Sequence, residues 1–174
     1  MKHFLLLFLL SFLWIQVAAQ AAHPHHHEAG KGDTLPPYLA NPYLPTFSIQ
    51  QADSSWFSRS EIAGKKPVLL VYFSPDCGHC MLETEELIAR MSKLQKVQIV
   101  MVTSKPLDEL QNFANHYKLN RFANIRIGTD PQRRITRFYQ VKTTPFSAVY
   151  NKKGKLLKVY DDGIDWDELL VLLD

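Results

Sequence analysis

The sequence predicts an α/β domain in which helices cover both faces of a central mixed β-sheet. Short apolar runs typical of buried strands alternate with helix-like segments over residues 46–174. A strand–helix–strand half precedes a strand–strand–helix half, an order that implies both parallel and antiparallel neighbours in one sheet. The 174 residues, 46% hydrophobic and 21% charged, are enough for one domain with a real core.

The first 19 residues have the pattern of an export signal. Lys2 and His3 precede an apolar run over 4–15, and small residues at 17–19 form a cleavage site before Gln20. That run is shorter than the roughly 20 residues a membrane span needs. We therefore expect a periplasmic protein that is soluble after cleavage, with an uncleaved membrane anchor as the alternative.

A linker is predicted between the signal and the domain. Residues 20–45 are rich in proline and histidine, a composition that favours extended backbone over packed helix. The predicted domain then covers 46–174.

The first elements of the domain form a hairpin followed by a buried strand and a helix. Phe47 and Ile49 alternate with polar residues as in a short edge strand, and 56–58 is its hairpin partner. A helical turn at 60–63 closes at Gly64. The continuous apolar run 68–73 predicts a core strand of a parallel sheet. The helix over 77–94 has one apolar stripe, formed by Leu87, Met91 and Leu94.

A second buried strand and another helix follow. The apolar run 97–103 predicts the strand, and Pro106 suits the first position of the helix. The apolar face of that helix consists of Leu107, Leu110, Phe113, Ala114 and Tyr117. Residues 124–127 predict a further strand, and 130–140 a helix or an irregular crossing.

The last part of the chain predicts a hairpin and a terminal helix. Strands at 146–150 and 156–160 flank the turn-forming residues 151–154. Asp165 can cap a final helix whose apolar face consists of Trp166, Leu169, Leu170 and Leu173.

The two cysteines of the chain, Cys77 and Cys80, directly follow the predicted strand 68–73 and begin the next helix. A Cys-x-x-Cys pair at a strand-to-helix junction suits a dithiol that cycles to a disulfide and back. Unpaired N–H groups and the helix dipole favour a thiolate at Cys77, the predicted nucleophile. Cys80 lies one turn deeper and is the predicted resolving thiol.

Three neighbours of the pair bear on its chemistry, and two of them, His79 and Glu83, have two interpretations each. A hydrogen-bonding His79 would stabilise the thiolate, and the alternative is a solvent-facing histidine. The charge of Asp76 would oppose thiolate formation. Glu83 could relay the proton of Cys80, or it could be an ordinary surface glutamate.

Thr144 and Pro145 precede the strand 146–150, and a proline there starts a strand or occupies a special turn. With the run 65–74 and the Cys-Gly-His-Cys motif, this dipeptide makes the chain resemble the thioredoxin fold over 46–174. More narrowly, the chain resembles exported bacterial thiol–disulfide oxidoreductases of the TlpA/ResA type. The segment 46–64 is similar to their N-terminal β-hairpin and the helix region 106–119 to their central helical insertion.

The resemblance implies roles for several site residues. Pro145 would be cis and face the disulfide, while the backbone of Thr144 would pair with a bound substrate strand. Gly78 would lie with these two at the substrate surface, and Glu83 matches a glutamate that follows the second cysteine by three in ResA-like proteins.

The sequence departs from the pattern at three places, and the third concerns the direction of electron flow. The buried aspartate of thioredoxin would fall at Val71, and the usual tryptophan before the dithiol is Asp76. The inter-cysteine pair, Gly78-His79, is the one found in protein disulfide isomerases. The predicted activity is therefore an exported protein-disulfide oxidoreductase, with the reductive direction favoured and an isomerase or oxidase as the alternative.

Two other functions compete with this prediction. A periplasmic Cu or Zn metallochaperone could use the two thiols with histidines of the linker, namely His23, His25, His26 and His27. A peroxidase would need a Pro-x-x-x-Thr-x-x-Cys run, which the residues before Cys77 lack.

The oxidoreductase itself is expected to need no cofactor and no metal. Its expected partners are cysteine-containing exported proteins, with a membrane thiol reductase as electron donor. The net charge of +3 predicts no nucleic-acid partner.

Overall fold

The computed structural model describes residues 35–62 and 66–173. The predicted signal at 1–19, the linker histidines and Gly64 lie outside the described residues. The described part folds around a seven-stranded mixed sheet with the order β2-β1-β5-β4-β3-β6-β7. Within it, every helix is too short or too polar to cross a membrane.

Seven strands and five helices make up the described chain. The strands are β1 (Ser48–Gln51), β2 (Trp56–Ser58), β3 (Val68–Tyr72), β4 (Gln98–Thr103), β5 (Ile125–Thr129), β6 (Phe146–Tyr150) and β7 (Leu156–Tyr160). The helices are α1 (Pro37–Ala40), α2 (Gly78–Ala89), α3 (Leu107–His116), α4 (Arg134–Tyr139) and α5 (Trp166–Leu173). Two 3₁₀ turns are at Arg59–Glu61 and Leu119–Arg121.

The central strand β3 positions the cysteine pair. It runs parallel to β4, with Leu70 opposite Val100, and antiparallel to β6, with Leu70 opposite Ala148. All residues of β3 and β4 are buried, as their continuous apolar runs predict. Because Tyr72 pairs with Phe146, the end of β3 that leads into Cys77 lies beside the start of β6.

Helices cover both faces of the sheet, so the predicted thioredoxin-like α/β fold is confirmed. On one face, residues of α2, α3 and α5 pack against β3 and β4; this cluster contains Leu69, Val71, Leu87, Leu110, Leu169 and Cys80. On the other face, Ile135 and Tyr139 of α4 pack against Leu70 and Val100. Alternate residues of β3 thus face opposite halves of the core.

Two elements differ from the sequence prediction. Strand β1 pairs with both β2 and β5, so β2 is the edge strand and the predicted edge strand is interior. Helix α2 ends at Ala89 because the following N–H groups of Arg90 and Met91 bond three residues back. The tighter turns still bury Met91 and Leu94.

The described end of the predicted linker packs on the domain. Pro37 opens the single-turn helix α1, where the fixed φ of proline suits the first position. The ring of Tyr38 lies 5.8 Å from that of Tyr139. Leu44 is 4% exposed, and its N–H donates to the Gly154 carbonyl at 2.8 Å. The expectation of extended backbone therefore fails at α1.

Candidate active site

The cysteine pair lies where β3 leads into α2. Cys77 is the N-cap of α2, and its Sγ accepts a hydrogen bond from the Cys80 N–H at 3.3 Å. Both cysteines are free thiols; Cys77 is partly exposed and Cys80 is buried. A Cβ added at Gly78 would meet no atom within 4 Å, so the surface beside the pair is open.

The surroundings of Cys77 favour its thiolate. Partial burial raises the pKa of Cys77, but hydrogen bonds from the Cys80 side chain and from the Cys80 and His79 backbones outweigh it. The pKa of Cys77 therefore lies below its ordinary value, as the position at a helix N-terminus predicts.

The surroundings of Cys80 have the opposite effect and favour its protonated thiol. It is 1% exposed within the apolar cluster of α2 and β3. Burial, followed by its hydrogen bond with Cys77, raises the pKa of Cys80 to about 12. One thiol is thus accessible and activated while the other is held protonated.

His79 fits the second of its two interpretations, a solvent-facing histidine, and Asp76 is engaged by a lysine. The side chain of His79 is exposed, and the contribution of this residue to the Cys77 thiolate comes from its backbone. The carboxylate of Asp76 accepts hydrogen bonds from Lys105 Nζ at 2.8 Å and from Ser74. The Lys105 bond is the larger cause that lowers the pKa of Asp76 to about 2.

Glu83 is buried, at 8% exposure, and is not the surface glutamate of the second interpretation. Its Oε2 accepts from the Ile164 N–H at 2.9 Å and its Oε1 from Ser147 Oγ at 3.3 Å. Burial raises the pKa of Glu83, and these two donors counteract part of the rise. Among the described residues no hydrogen bond joins Glu83 to Cys80.

Thr144 and Pro145 lie on the other side of Cys77. The Thr144–Pro145 peptide is cis, as the resemblance implies, and Pro145 is buried. The Cys77 thiol donates to the Thr144 carbonyl at 3.5 Å. The fold thus brings the Cys-Gly-His-Cys motif and this dipeptide together from 67 residues apart.

Two grooves border the cysteine pair. One, of about 770 Å³, extends from His79 and Thr144 towards Ile164 and Trp166. The other, of about 560 Å³, lies between the start of α2 and α3 and is lined by Met81 and Phe113 among others. Both grooves therefore lie beside the start of α2, where Cys77 is the N-cap.

Lys105, Ser147 and Ile164 were missed by the sequence analysis. Each contacts a predicted site residue from 29 to 81 positions away, and no local pattern identifies such a contact. Over residues 35–62 and 66–173, no group of three or more His, Cys, Asp and Glu is placed to hold a metal ion.

The profile of the AhpC/TSA family matches residues 41–159. The chain is similar in structure to a secreted disulfide oxidoreductase from Mycobacterium tuberculosis, at 21% identity and TM-score 0.61, covering 73% of this chain and 93% of that one. It is also similar to a thiol peroxidase from Chromobacterium violaceum, at 17% identity and TM-score 0.64, covering 75% and 83%. An exposed lipoprotein thioredoxin from Streptococcus pneumoniae matches at 22% identity and TM-score 0.58, covering 74% and 98%. At these identities the structures show the fold alone. No curated protein matches the chain.

Proposed function

From the premise that the chain belongs to the AhpC/TSA family, we propose that it is a protein-disulfide oxidoreductase using the Cys77–Cys80 pair. One observation carries the proposal: of two thiols at one helix N-terminus, Cys77 is partly exposed and accepts a hydrogen bond from the Cys80 N–H, while Cys80 is buried, and their pKa values are displaced in opposite directions. That asymmetry suits an attacking thiolate and a resolving thiol.

The proposed reaction transfers two electrons in two exchanges. The Cys77 thiolate attacks one sulfur of a substrate disulfide, forms a mixed disulfide and releases the other substrate sulfur as a thiolate. Cys80 then loses its proton and attacks Cys77, so that the substrate leaves as a dithiol and the protein as a disulfide. In this mechanism the Thr144 backbone orients the substrate strand beside Pro145. Glu83 is the proposed acceptor for the Cys80 proton, acting when Cys80 attacks.

The direction we favour is reductive, in an exported protein of the TlpA/ResA type. The Gly78-His79 pair and the lowered pKa of Cys77 support the alternative, an isomerase or oxidase. The reduction potential distinguishes the two directions. A potential near about −270 mV supports the reductase, and one near about −180 mV or above supports disulfide donation.

The decisive test is reduction of insulin disulfides by dithiothreitol, catalysed by the purified protein. We expect Cys77→Ser to abolish catalysis. Cys80→Ser should accumulate a mixed disulfide with the substrate, visible by mass spectrometry under non-reducing conditions. Undiminished catalysis by Cys77→Ser would refute the proposal.

A thiol peroxidase is the second candidate, because the AhpC/TSA match favours that chemistry as well. Its cysteine would be oxidised by hydrogen peroxide to a sulfenic acid, with water released, and the second thiol would then form the disulfide. Peroxide consumption by the reduced protein separates the two activities. Rapid turnover of peroxide with no effect on insulin would favour the peroxidase.

We further propose that the protein is exported, loses residues 1–19 and acts on cysteine-containing exported proteins, with a membrane thiol reductase as electron donor. The apolar run 4–15 and the small residues at 17–19 support this location. N-terminal sequencing of the mature protein from a periplasmic extract tests it. A chain that retains Met1 in the membrane fraction would support the anchored form instead.

A further inference from the structure

The larger groove beside the cysteine pair is acidic although the chain carries a net charge of +3. Its lining includes Glu83, Glu86, Asp161 and Asp162, and contains neither lysine nor arginine. The groove begins at Thr144, whose carbonyl lies 3.5 Å from the sulfur of Cys77. Residues of a substrate that flank its reacting cysteine would therefore lie close to these acidic side chains.

The four carboxylates are not equally available to a substrate. Glu83 is buried and accepts hydrogen bonds from Ile164 and Ser147. Glu86 is paired with Arg90. Asp161 and Asp162, by contrast, are exposed and form no ion pair with any described residue. The negative charge that is both exposed to a substrate and free of an ion pair with a described residue is thus contributed by these two aspartates.

Apolar surface lies in the same groove. Leu82, which is 60% exposed, lines it together with the partly buried Ile164 and the largely buried Trp166. A groove with apolar surface and an acidic rim suits an extended peptide that carries both an apolar and a cationic side chain.

Building on the proposed function, we propose that Asp161 and Asp162 select substrates whose reacting cysteine is flanked by lysine or arginine. The occupant of the groove is then a basic, extended segment of a partner protein. Charges at the rim of an interface mainly increase the association rate and discriminate against like-charged partners. The two aspartates are therefore specificity residues and take no part in the exchange itself.

Three short peptides test this inference, each with one internal disulfide flanked by Lys-Lys, Ser-Ser or Glu-Glu. The reduced full-length protein is mixed with each peptide at low ionic strength, and acid-quenched samples give the second-order rate constant of disulfide reduction. We expect the Lys peptide to react about three- to tenfold faster than the Glu peptide. In about 1 M salt, where the Debye length is about 3 Å, the ratio should approach one.

In the variant Asp161→Asn/Asp162→Asn, the ratio of the Lys-peptide rate to the Glu-peptide rate should fall close to one. The variant should still reduce the Ser peptide at the wild-type rate, and this result also shows that the variant is folded. Its matched control is Glu85→Gln/Asp108→Asn, which removes two exposed carboxylates outside the groove and should retain the ratio.

The outcomes separate the two proposals. Equal wild-type rates for all three peptides, or an unchanged ratio in Asp161→Asn/Asp162→Asn, would overturn the substrate preference and leave the oxidoreductase activity intact. A folded wild-type protein that reduces none of the peptides would overturn the proposed function, and the preference with it.

Discussion

Alkylation of the reduced protein should modify Cys77 far faster than Cys80. The pKa of Cys80 is about 12, so at pH 7 only about 10⁻⁵ of it is thiolate, the reactive form. The pKa of Cys77 lies below its ordinary value of 9.0, which makes more than about 1% of it thiolate at the same pH. The ratio of the two thiolate concentrations therefore exceeds about 1000.

Intrinsic nucleophilicity reduces this ratio. A more basic thiolate attacks faster, with a Brønsted coefficient of about 0.4–0.5. The rate constant of the Cys80 thiolate should therefore be about 20- to 30-fold larger than that of the Cys77 thiolate. The net preference for Cys77 is then at least about 30-fold. Because Cys80 is only 1% exposed, restricted access should increase it further.

The assay treats the reduced wild-type protein with a brief pulse of iodoacetamide from pH 6 to pH 11 and measures the label on each cysteine by peptide mass spectrometry, because each thiol contributes to the pKa of the other. The rate for Cys80 should still be rising at the highest pH, whereas that for Cys77 should level off earlier. Unfolding in urea should bring the two rates together. A folded-state rate for Cys80 within about threefold of that for Cys77 would refute the assignment of nucleophile and resolving thiol.

The remaining predictions concern stability, measured by urea unfolding. Glu83→Ala leaves the partly buried Ile164 N–H without its acceptor and should lower the free energy of unfolding by about 1–3 kcal/mol. Glu83→Gln should cost less than about 1 kcal/mol, and equal losses in the two variants would contradict the role of that hydrogen bond. Because burial raises the pKa of Glu83, the folded protein holds this proton more tightly than the unfolded chain. The free energy of unfolding should therefore fall as pH rises above 4.5, and it should fall less steeply with pH in Glu83→Gln. Equal slopes in the wild type and the variant would contradict this contribution of Glu83. Gly128→Ala places a Cβ 2.9 Å from the Gln50 carbonyl and should cost about 1–3 kcal/mol; wild-type stability would contradict this close approach. Leu44→Ala should cost about 2–5 kcal/mol, and a loss below about 0.5 kcal/mol would show that this segment does not pack as described.

The elements that the sequence predicted well are those whose signal is local. The continuous apolar runs of β3 and β4 identify strands buried on both faces, and the turn at 151–154 between two apolar runs identifies the hairpin of β6 and β7. The position of Cys77 at the start of α2 followed from the same local pattern.

Contacts between distant parts of the chain were not predictable in this way. The donor to Glu83 is a backbone N–H that lies 81 residues away, and any residue type except proline could supply it. The burial of Leu44 also depends on a distant contact, with the turn at Gly154. The proline-rich sequence around Leu44 indicates only extended backbone. Composition indicates the local preference of the backbone, and in the segment around Leu44 tertiary packing overrides that preference.

The hydrogen bonds that Cys77 Sγ accepts at the start of α2 also link the redox state of the pair to its folding. They stabilise a thiolate more than a disulfide sulfur, so in a thermodynamic cycle of folding and reduction they favour the folded dithiol. At a pH above the pKa of Cys77 in both the folded and the unfolded chain, each unit by which folding lowers that pKa corresponds to about 1.4 kcal/mol, or about 30 mV for a two-electron couple. At pH values where Cys77 is ionised, that helix terminus therefore shifts the pair towards the dithiol in the folded protein.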